Sequence, residues 1–488
     1  MRDPSSAISR PPSGYRLSTI DYRLIGLVAI LLCLAACDPG SPGAFQATLP
    51  PLTADAPIYT ETPTSSATPT ATETPVFTAT PTLTPTATET PTPLYTPTAT
   101  PTLPLLTLTP VVQGAAPAAY LNPPAERSAP FGWSCQDFPC EDDLEGWLQR
   151  IRVPVGFTVE AVGRFPGAPM QIVYGPDGLL YASVLEGGTR EGAVYRLNAD
   201  GSTTHYHTGS LHTPIGLAFQ PGTSILYVSA RESALQGGAI YRIDSEGAEP
   251  ILVRGGLPCC YSLIDNQPAG MVFGPDGYLY VGIGALTDRL EPTDPRTSAN
   301  ATLVPGEASI LRIQPHTAEV SIWAQGLRYP YDLTFNASGQ FYATDTGLLT
   351  GPGDRLVAPA AGLHFGWPYW RWRGCDTCPP TDGTIQQSPD LTRFQDFSLP
   401  RGIVAYTGSQ FPANLFGSLF VALWNNTFDG QAVVRVDPTD WRLQRDDYRA
   451  EPFVTGLIRP IDVTLDPAGA LVVADYVYGW VWRVRYTG

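Results

Sequence analysis

One phrase recurs along this chain and constrains the fold more than any other feature: an apolar run, a tight turn and a second apolar run. It reads IVYGPDGLLYA at 172–182, LAFQPGTSILYV at 217–228 and MVFGPDGYLYV at 271–281, then LTFNASGQFYA at 333–343 and VTLDPAGALVV at 463–473. In Gly274-Pro275-Asp276-Gly277 proline presets φ and the Asp-Gly pair supplies the turn, so the flanking runs fold back as antiparallel strands. A second phrase follows each repeat, as AVYRL at 193–197, AIYRI at 239–243, SILRI at 309–313, AVVRV at 432–436 and WVWRV at 480–484. Each is a β-rich run with an arginine on its polar face.

Two strand-bearing phrases in every ~45–60 residues is the spacing of a β-propeller, one four-stranded blade per repeat. Counting LFGSLFVAL at 415–423 with the five turn phrases gives six blades, so the expected class is all-β and the architecture a six-bladed propeller. The run FTVEAVG at 157–163 has no blade of its own, and the last repeat ends after its inner strands. The N-terminal strand is therefore expected to close the final blade and leave no open edge. The fourth repeat is the weakest, because Asp354-Arg355-Leu356 and His364-Phe365-Gly366-Trp367-Pro368 replace its usual second phrase. The long insertion at 345–400 is the kind of segment that more often carries function than structure.

Ahead of the repeats, residues 1–37 read as a lipoprotein-type signal peptide. Arg2, Arg10, Arg16 and Arg23 precede an apolar run from Leu24 to Ala36, which ends in Leu34-Ala35-Ala36-Cys37. That run is short for a membrane span, and small residues precede the cysteine. The ending resembles the lipobox of bacterial lipoproteins, which implies acylation at Cys37; an ordinary signal peptide or a signal anchor is the alternative. Residues 38–130 form a spacer, Thr-Pro-rich from about Thr48 to Val112. Proline denies it helix and ladder, and it cannot bury enough surface to offset its ordering entropy. Extended at ~3.1 Å per residue, it reaches on the order of 200 Å. Residues 131–153 are expected to cap the head that fills 154–488, with helical spacing at Leu144, Leu148 and Ile151.

Cys135 and Cys140, Cys259 and Cys260, and Cys375 and Cys378 fall in close pairs. No second CxxC or histidine-rich partner completes a four-ligand zinc site, so local disulfides in an oxidising compartment are the better reading. Lys and Arg total 29 against 45 Asp and Glu, a net charge of −16 without a basic run. That balance excludes a nucleic-acid partner.

Taken together, FGPDGYLYVGIG, AQGLRYPYDLTF at 324–335, FGWPYW at 365–370, FPANLFGSLFVAL at 411–423 and IRPIDVTLDPAGALVVAD at 458–475 resemble the glucose/sorbosone dehydrogenase family. The resemblance covers about residues 154–488. It implies a six-bladed propeller holding pyrroloquinoline quinone (PQQ) and Ca2+ on one face, with a histidine that takes the substrate hydroxyl proton. Histidine suits that task because its pKa lies near neutral. The matching position here is Asn266, and a carboxamide has no useful basicity. Asp265 is adjacent, but neighbouring side chains on an extended backbone point to opposite faces. The family's acid after the next strand is Ala285, and its cofactor-contacting glutamine falls at Leu211 or His212.

Other positions do match. Arg328 lies on the family's active-site arginine, and Arg459 on one that pairs with cofactor carboxylates, a task suited to guanidinium. Trp424 is a departure: where many family members have HGSW or a lysine on the cofactor side, this chain has Trp424-Asn425-Asn426. Leu349, Thr350 and Asp354 fall where the family supplies calcium ligands. The resemblance therefore implies a PQQ- and calcium-dependent dehydrogenase of sugars or other small alcohols or aldehydes. The replacement at Asn266 argues for a second reading, a non-catalytic extracytoplasmic propeller that binds a carbohydrate or protein. Either is expected as a monomer, tied to the membrane only through its lipid anchor.

Overall fold

The computed structural model describes residues 138–187, 191–233, 237–259, 266–288, 303–348, 353–369, 385–425, 431–445 and 448–488. Its turns explain why the repeated phrase takes the form it does. Strand Pro268–Phe273 pairs antiparallel with Leu279–Ile283, with Phe273 opposite Leu279 and Met271 opposite Val281. Between them Gly277 has φ 79, a left-handed conformation that a β-carbon would strain. Asp276 holds the turn from inside: its Oδ1 accepts the Tyr278 amide (3.2 Å) and its Oδ2 the Tyr280 hydroxyl (2.8 Å). Arg312, from the third strand Ser309–Ile313, stands opposite Tyr280 and reaches the same Oδ2 at 2.7 Å. The arginine of the second phrase thus ties the third strand to the first turn. The pattern repeats with Asp177 and Tyr181 (2.7 Å), and with Arg483 and Asp466 (3.0 Å).

These hairpins build antiparallel sheets. Three of them run in chain order: Pro268–Phe273 to Val320–Gln325, Pro330–Phe335 to Thr392–Arg393, and Pro400–Ala405 to Glu451–Val454. A larger sheet joins the two N-terminal repeats through the two-residue strand Leu211–His212. The inner strands Ala168–Tyr174, Leu217–Phe219, Pro268–Phe273, Pro330–Phe335, Pro400–Ala405 and Pro460–Leu465 each touch the next, and the last touches the first. That closed ring is a β-propeller. The final sheet is completed from the other end of the chain, where Phe157–Arg164 pairs with Trp480–Tyr486, Phe157 opposite Tyr486. The closure expected from the unpaired N-terminal run is what the register shows.

One sequence assignment needs correction. LFGSLFVAL at 415–423, expected as the first element of its blade, holds the second strand Leu419–Leu423, and Pro400–Ala405 is the inner one. Residues 406–418, with the short 3-10 turn Ala413–Leu415, replace the tight turn of the other repeats. The phrase that marks a hairpin elsewhere is therefore absent at this one.

Helix α1 (Leu144–Arg150) seals the end of the final sheet. Asp143 caps it by accepting the Gly146 amide at 2.9 Å, the usual way an N-terminal turn satisfies an orphan donor. Trp147 is buried between Phe138, Tyr478 and Trp482, with its Nε1 donating to the Cys140 carbonyl at 3.0 Å. Among the described residues no helix is long and apolar enough to cross a membrane.

Candidate functional site

The residues singled out from the sequence gather where the inner strands begin. Asn266 precedes Pro268, Arg328 precedes Pro330, and Arg459 directly precedes Pro460. Successive inner strands pack side by side in the ring, so their starts share one end of the propeller.

Asn266 is fully buried with φ 59. Its Nδ2 donates to the Ala285 carbonyl at 2.6 Å and its Oδ1 faces Arg328 Nη1 at 3.4 Å. The amide group is thereby held in one orientation, donor to the backbone and acceptor to the guanidinium. Arg328, 1% exposed, is itself neutralised by Asp288, with Nε and Nη2 both 3.0 Å from Oδ1. The Asp288 carbonyl in turn accepts Trp367 Nε1 at 2.8 Å. Asn266, Arg328, Asp288 and Trp367 form one buried network. Asp288 carries no signal in the sequence: an isolated aspartate after the strand has no spacing to mark it.

Arg459 and Trp424 meet. The guanidinium lies 5.4 Å from the Trp424 ring and donates to the Trp424 carbonyl (3.2 Å) and to Asn425 Oδ1. Burial lowers its pKa, opposed by the nearby Asp475 carboxylate. A second arginine missed in the sequence joins it. Arg401, on the inner strand Pro400–Ala405, sits 5.8 Å from the same Trp424 ring and 4.6 Å from Tyr331. Two cations thus bracket one indole, an arrangement suited to an anionic, planar group.

Asp354 is tied to the backbone on both sides. Its Oδ1 accepts the Gly347 amide (2.8 Å) and its Oδ2 the Leu399 amide (2.9 Å), and burial raises its pKa to about 6. It fastens the start of the fourth blade's insertion to the chain leading into the fifth. Leu349 and Thr350, like Asp265, Cys37, Cys135 and Cys260, lie outside the described residues. No group of three or more metal-ligating side chains occurs among the described residues.

His212 Nδ1 lies 2.8 Å from Glu191 Oε1 at a strand edge. His364 lines a cavity of about 140 Å³ with Trp367 and Glu307, and burial lowers its pKa. Its Nδ1 accepts the Gly366 amide at 3.0 Å, so the neutral ring carries its proton on Nε2 and presents a donor there.

The fold is that of a β-propeller, and this end of its ring gathers Asn266, Arg328 and Arg459. Residues 265–477 match the family model described as Glucose / Sorbosone dehydrogenase, and over that stretch the resemblance read from the sequence is shown. Comparison with curated protein sequences finds no match. Among solved structures, the chain is similar to the PQQ-bound aldose sugar dehydrogenase from Streptomyces coelicolor. The two share 19% identity over 68% of this chain and 99% of that one, with a TM-score of 0.50. It is likewise similar to the soluble aldose sugar dehydrogenase of Escherichia coli in its apo-form (16%, 68% and 99%, 0.51). The PQQ domain of pyranose dehydrogenase from Coprinopsis cinerea, in its holo form, is a third (15%, 69% and 97%, 0.51). At these identities the likeness bears on the fold alone.

Proposed function

We propose that the end of the propeller carrying Arg459, Arg401 and Trp424 binds a planar, carboxylated ligand of the PQQ class. We further propose that the protein oxidises small sugars or alcohols slowly for want of a base. The arginine pair beside an indole supports the binding half, because guanidinium pairs with carboxylate in a fixed geometry and stacks on aromatic faces. PQQ, when bound, supplies a two-electron acceptor. What this chain supplies around it is charge recognition from Arg459 and Arg401.

The observation that carries the slow-oxidation half is the state of Asn266. It stands where the family has its base, fully buried, its amide committed to the Ala285 carbonyl and facing Arg328. A carboxamide so placed can orient a hydroxyl but cannot accept its proton. General-base catalysis is worth roughly 10²–10⁴-fold in rate, which is the deficit expected. Arg328, already paired with Asp288, is better suited to holding Asn266 than to clasping a ligand. Asp354 holds two backbone amides and keeps a second lone pair on each oxygen, so calcium ligation there stays part of the proposal.

The second reading, a propeller that binds a carbohydrate or protein without turnover, is favoured by the same burial of Asn266. In either case we place the head outside the cytoplasm, carried on the Thr-Pro spacer from an acylated Cys37, as a monomer stapled by local disulfides. The test is titration of the purified protein with PQQ, with and without Ca2+, followed by dye reduction over a panel of sugars. Binding on the order of micromolar with weak turnover is expected. Absence of binding retires the quinoprotein reading and leaves the binding propeller.

A further inference from the structure

The flank between the fourth and fifth blades carries a cavity of about 300 Å³, and neither Arg459, Arg401 nor Trp424 lines it. One wall is the outer strand of the fourth blade, Thr392–Arg393, with the residues on either side of it. The other is the loop that joins the third and fourth strands of the fifth blade, Ala432–Val436 and Glu451–Val454. That loop follows Val436, which stands opposite Leu419, and Leu419 stands opposite Ala405. It therefore leaves the propeller at the end away from Pro400, and so away from the end that carries Asn266, Arg328 and Arg459.

Both walls are held in place. Thr392 Oγ1 donates to the Leu443 carbonyl at 2.8 Å, across the junction between the blades. Leu443 and Phe394, one from each wall, are buried in a single apolar cluster with Leu356 and Val434. Asp390 is buried and held at both oxygens, Oδ1 by Arg355 Nη1 at 2.9 Å and Oδ2 by Arg393 Nε at 2.8 Å. Across the cavity stand Gln444, Arg445, Tyr448 and Arg449, with Arg449 Nη1 donating to the Tyr448 carbonyl at 2.8 Å. The Arg445 guanidinium lies 5.7 Å from the ring of Trp441. That indole is 78% exposed, more than any other large aromatic side chain among the described residues. A fixed polar cavity thus has a wide apolar face standing in water beside it.

The walls limit what can sit there. An apolar ligand would take the arginines and glutamines out of water without giving them partners. An anion calls for donors alone, yet the carboxylates of Asp390 and Asp396 line the cavity, and Asp446 and Asp447 follow Arg445 in the sequence. A sugar hydroxyl both donates and accepts, so one ring can meet guanidinium, carboxamide and carboxylate groups together, while its C–H face lies against an exposed indole. We propose that this flank is a carbohydrate-binding site for a neutral sugar, separate from the ring end. Arg393, Gln395, Arg445 and Arg449 meet its hydroxyls, and Trp441 stacks on a ring face. The volume lies at the lower limit of small-molecule sites, about 300 Å³, which sets the occupant at one or two sugar rings. A sugar held here leaves the ring end open, so the flank serves as a point of attachment and not as a second reaction site.

Saturation-transfer NMR titration of the full-length protein, without PQQ, tests this with maltose, cellobiose and lactose, and with glucuronate as the anionic comparison. At least one disaccharide is expected to bind with a Kd on the order of millimolar, and glucuronate more weakly. Trp441→Ala and Arg449→Ala, both at exposed positions, should each weaken that binding about tenfold, roughly the worth of one aromatic contact or one hydrogen bond to a charged group. Urea unfolding should be the same in both variants as in the native protein, and Arg459→Ala should leave the sugar bound. The proposal is overturned if no disaccharide binds at ~50 mM, or if glucuronate is preferred. It is equally overturned if binding survives both flank substitutions, or is lost in Arg459→Ala, which places the sugar at the ring end. PQQ titration reads the ring end separately, so either reading can fail without the other.

Discussion

Arg355 offers the sharpest test of how the fourth blade is held. Its guanidinium is fully buried, with Nε 2.9 Å and Nη2 2.8 Å from Asp345 Oδ2. Nη1 lies 2.9 Å from Asp390 Oδ1 and 2.8 Å from the Phe365 carbonyl, and Nη2 reaches the Gly326 carbonyl at 3.1 Å. Arg355→Met keeps the volume and strands two buried carboxylates and two carbonyls. Breaking a buried pair in this way costs about 3–5 kcal/mol. The lower end is expected, because Asp390 keeps Arg393 (2.8 Å) and Asp345 keeps the Tyr329 amide (2.8 Å).

The loss should depend on pH. Burial already raises the pKa of Asp345, and Arg355 is the charge that opposes it. Without that cation the folded-state value climbs further, so the variant retains a proton that the unfolded chain gives up. Its relative stability is then recovered as pH falls toward ~4 and lost as pH rises. Urea unfolding followed by tryptophan fluorescence should show the full loss near neutral pH and a smaller one at about pH 5. A loss under about 1 kcal/mol, or one equal at both pH values, refutes the reasoning.

Two further outcomes follow from the ends of the chain. Cys37→Ser should move the protein from the membrane fraction to the soluble fraction and block normal processing; identical partitioning of both forms ends the lipoprotein reading. Removing everything before residue 170 deletes Phe157–Arg164 and bares the Trp480–Tyr486 edge, so that protein should aggregate where one beginning at residue 130 stays monomeric. A well-behaved monomer from the shorter chain contradicts the role assigned to the closing strand.

The propeller was legible because its hairpins are marked locally. Gly-Pro-Asp-Gly turns announce themselves, and an unpaired run at one end of the repeats matched a missing strand at the other. The inner strand Pro400–Ala405 escaped because its hairpin closes through residues 406–418 and has no such mark. The site was less legible than the fold. Asn266 drew attention only through the family resemblance. Asp288 and Arg401 are single charged residues whose partners come from the neighbouring blade, far along the chain, Arg328 for one and Tyr331 for the other.

The central claim is that a ligand-competent propeller lacks its base at one position. Dye reduction by the PQQ-loaded protein, compared between the native sequence and Asn266→His, tests it most directly. The account predicts weak native turnover and a gain of about tenfold or more in the histidine variant. Robust native turnover that is unchanged by Asn266→Ala would contradict it.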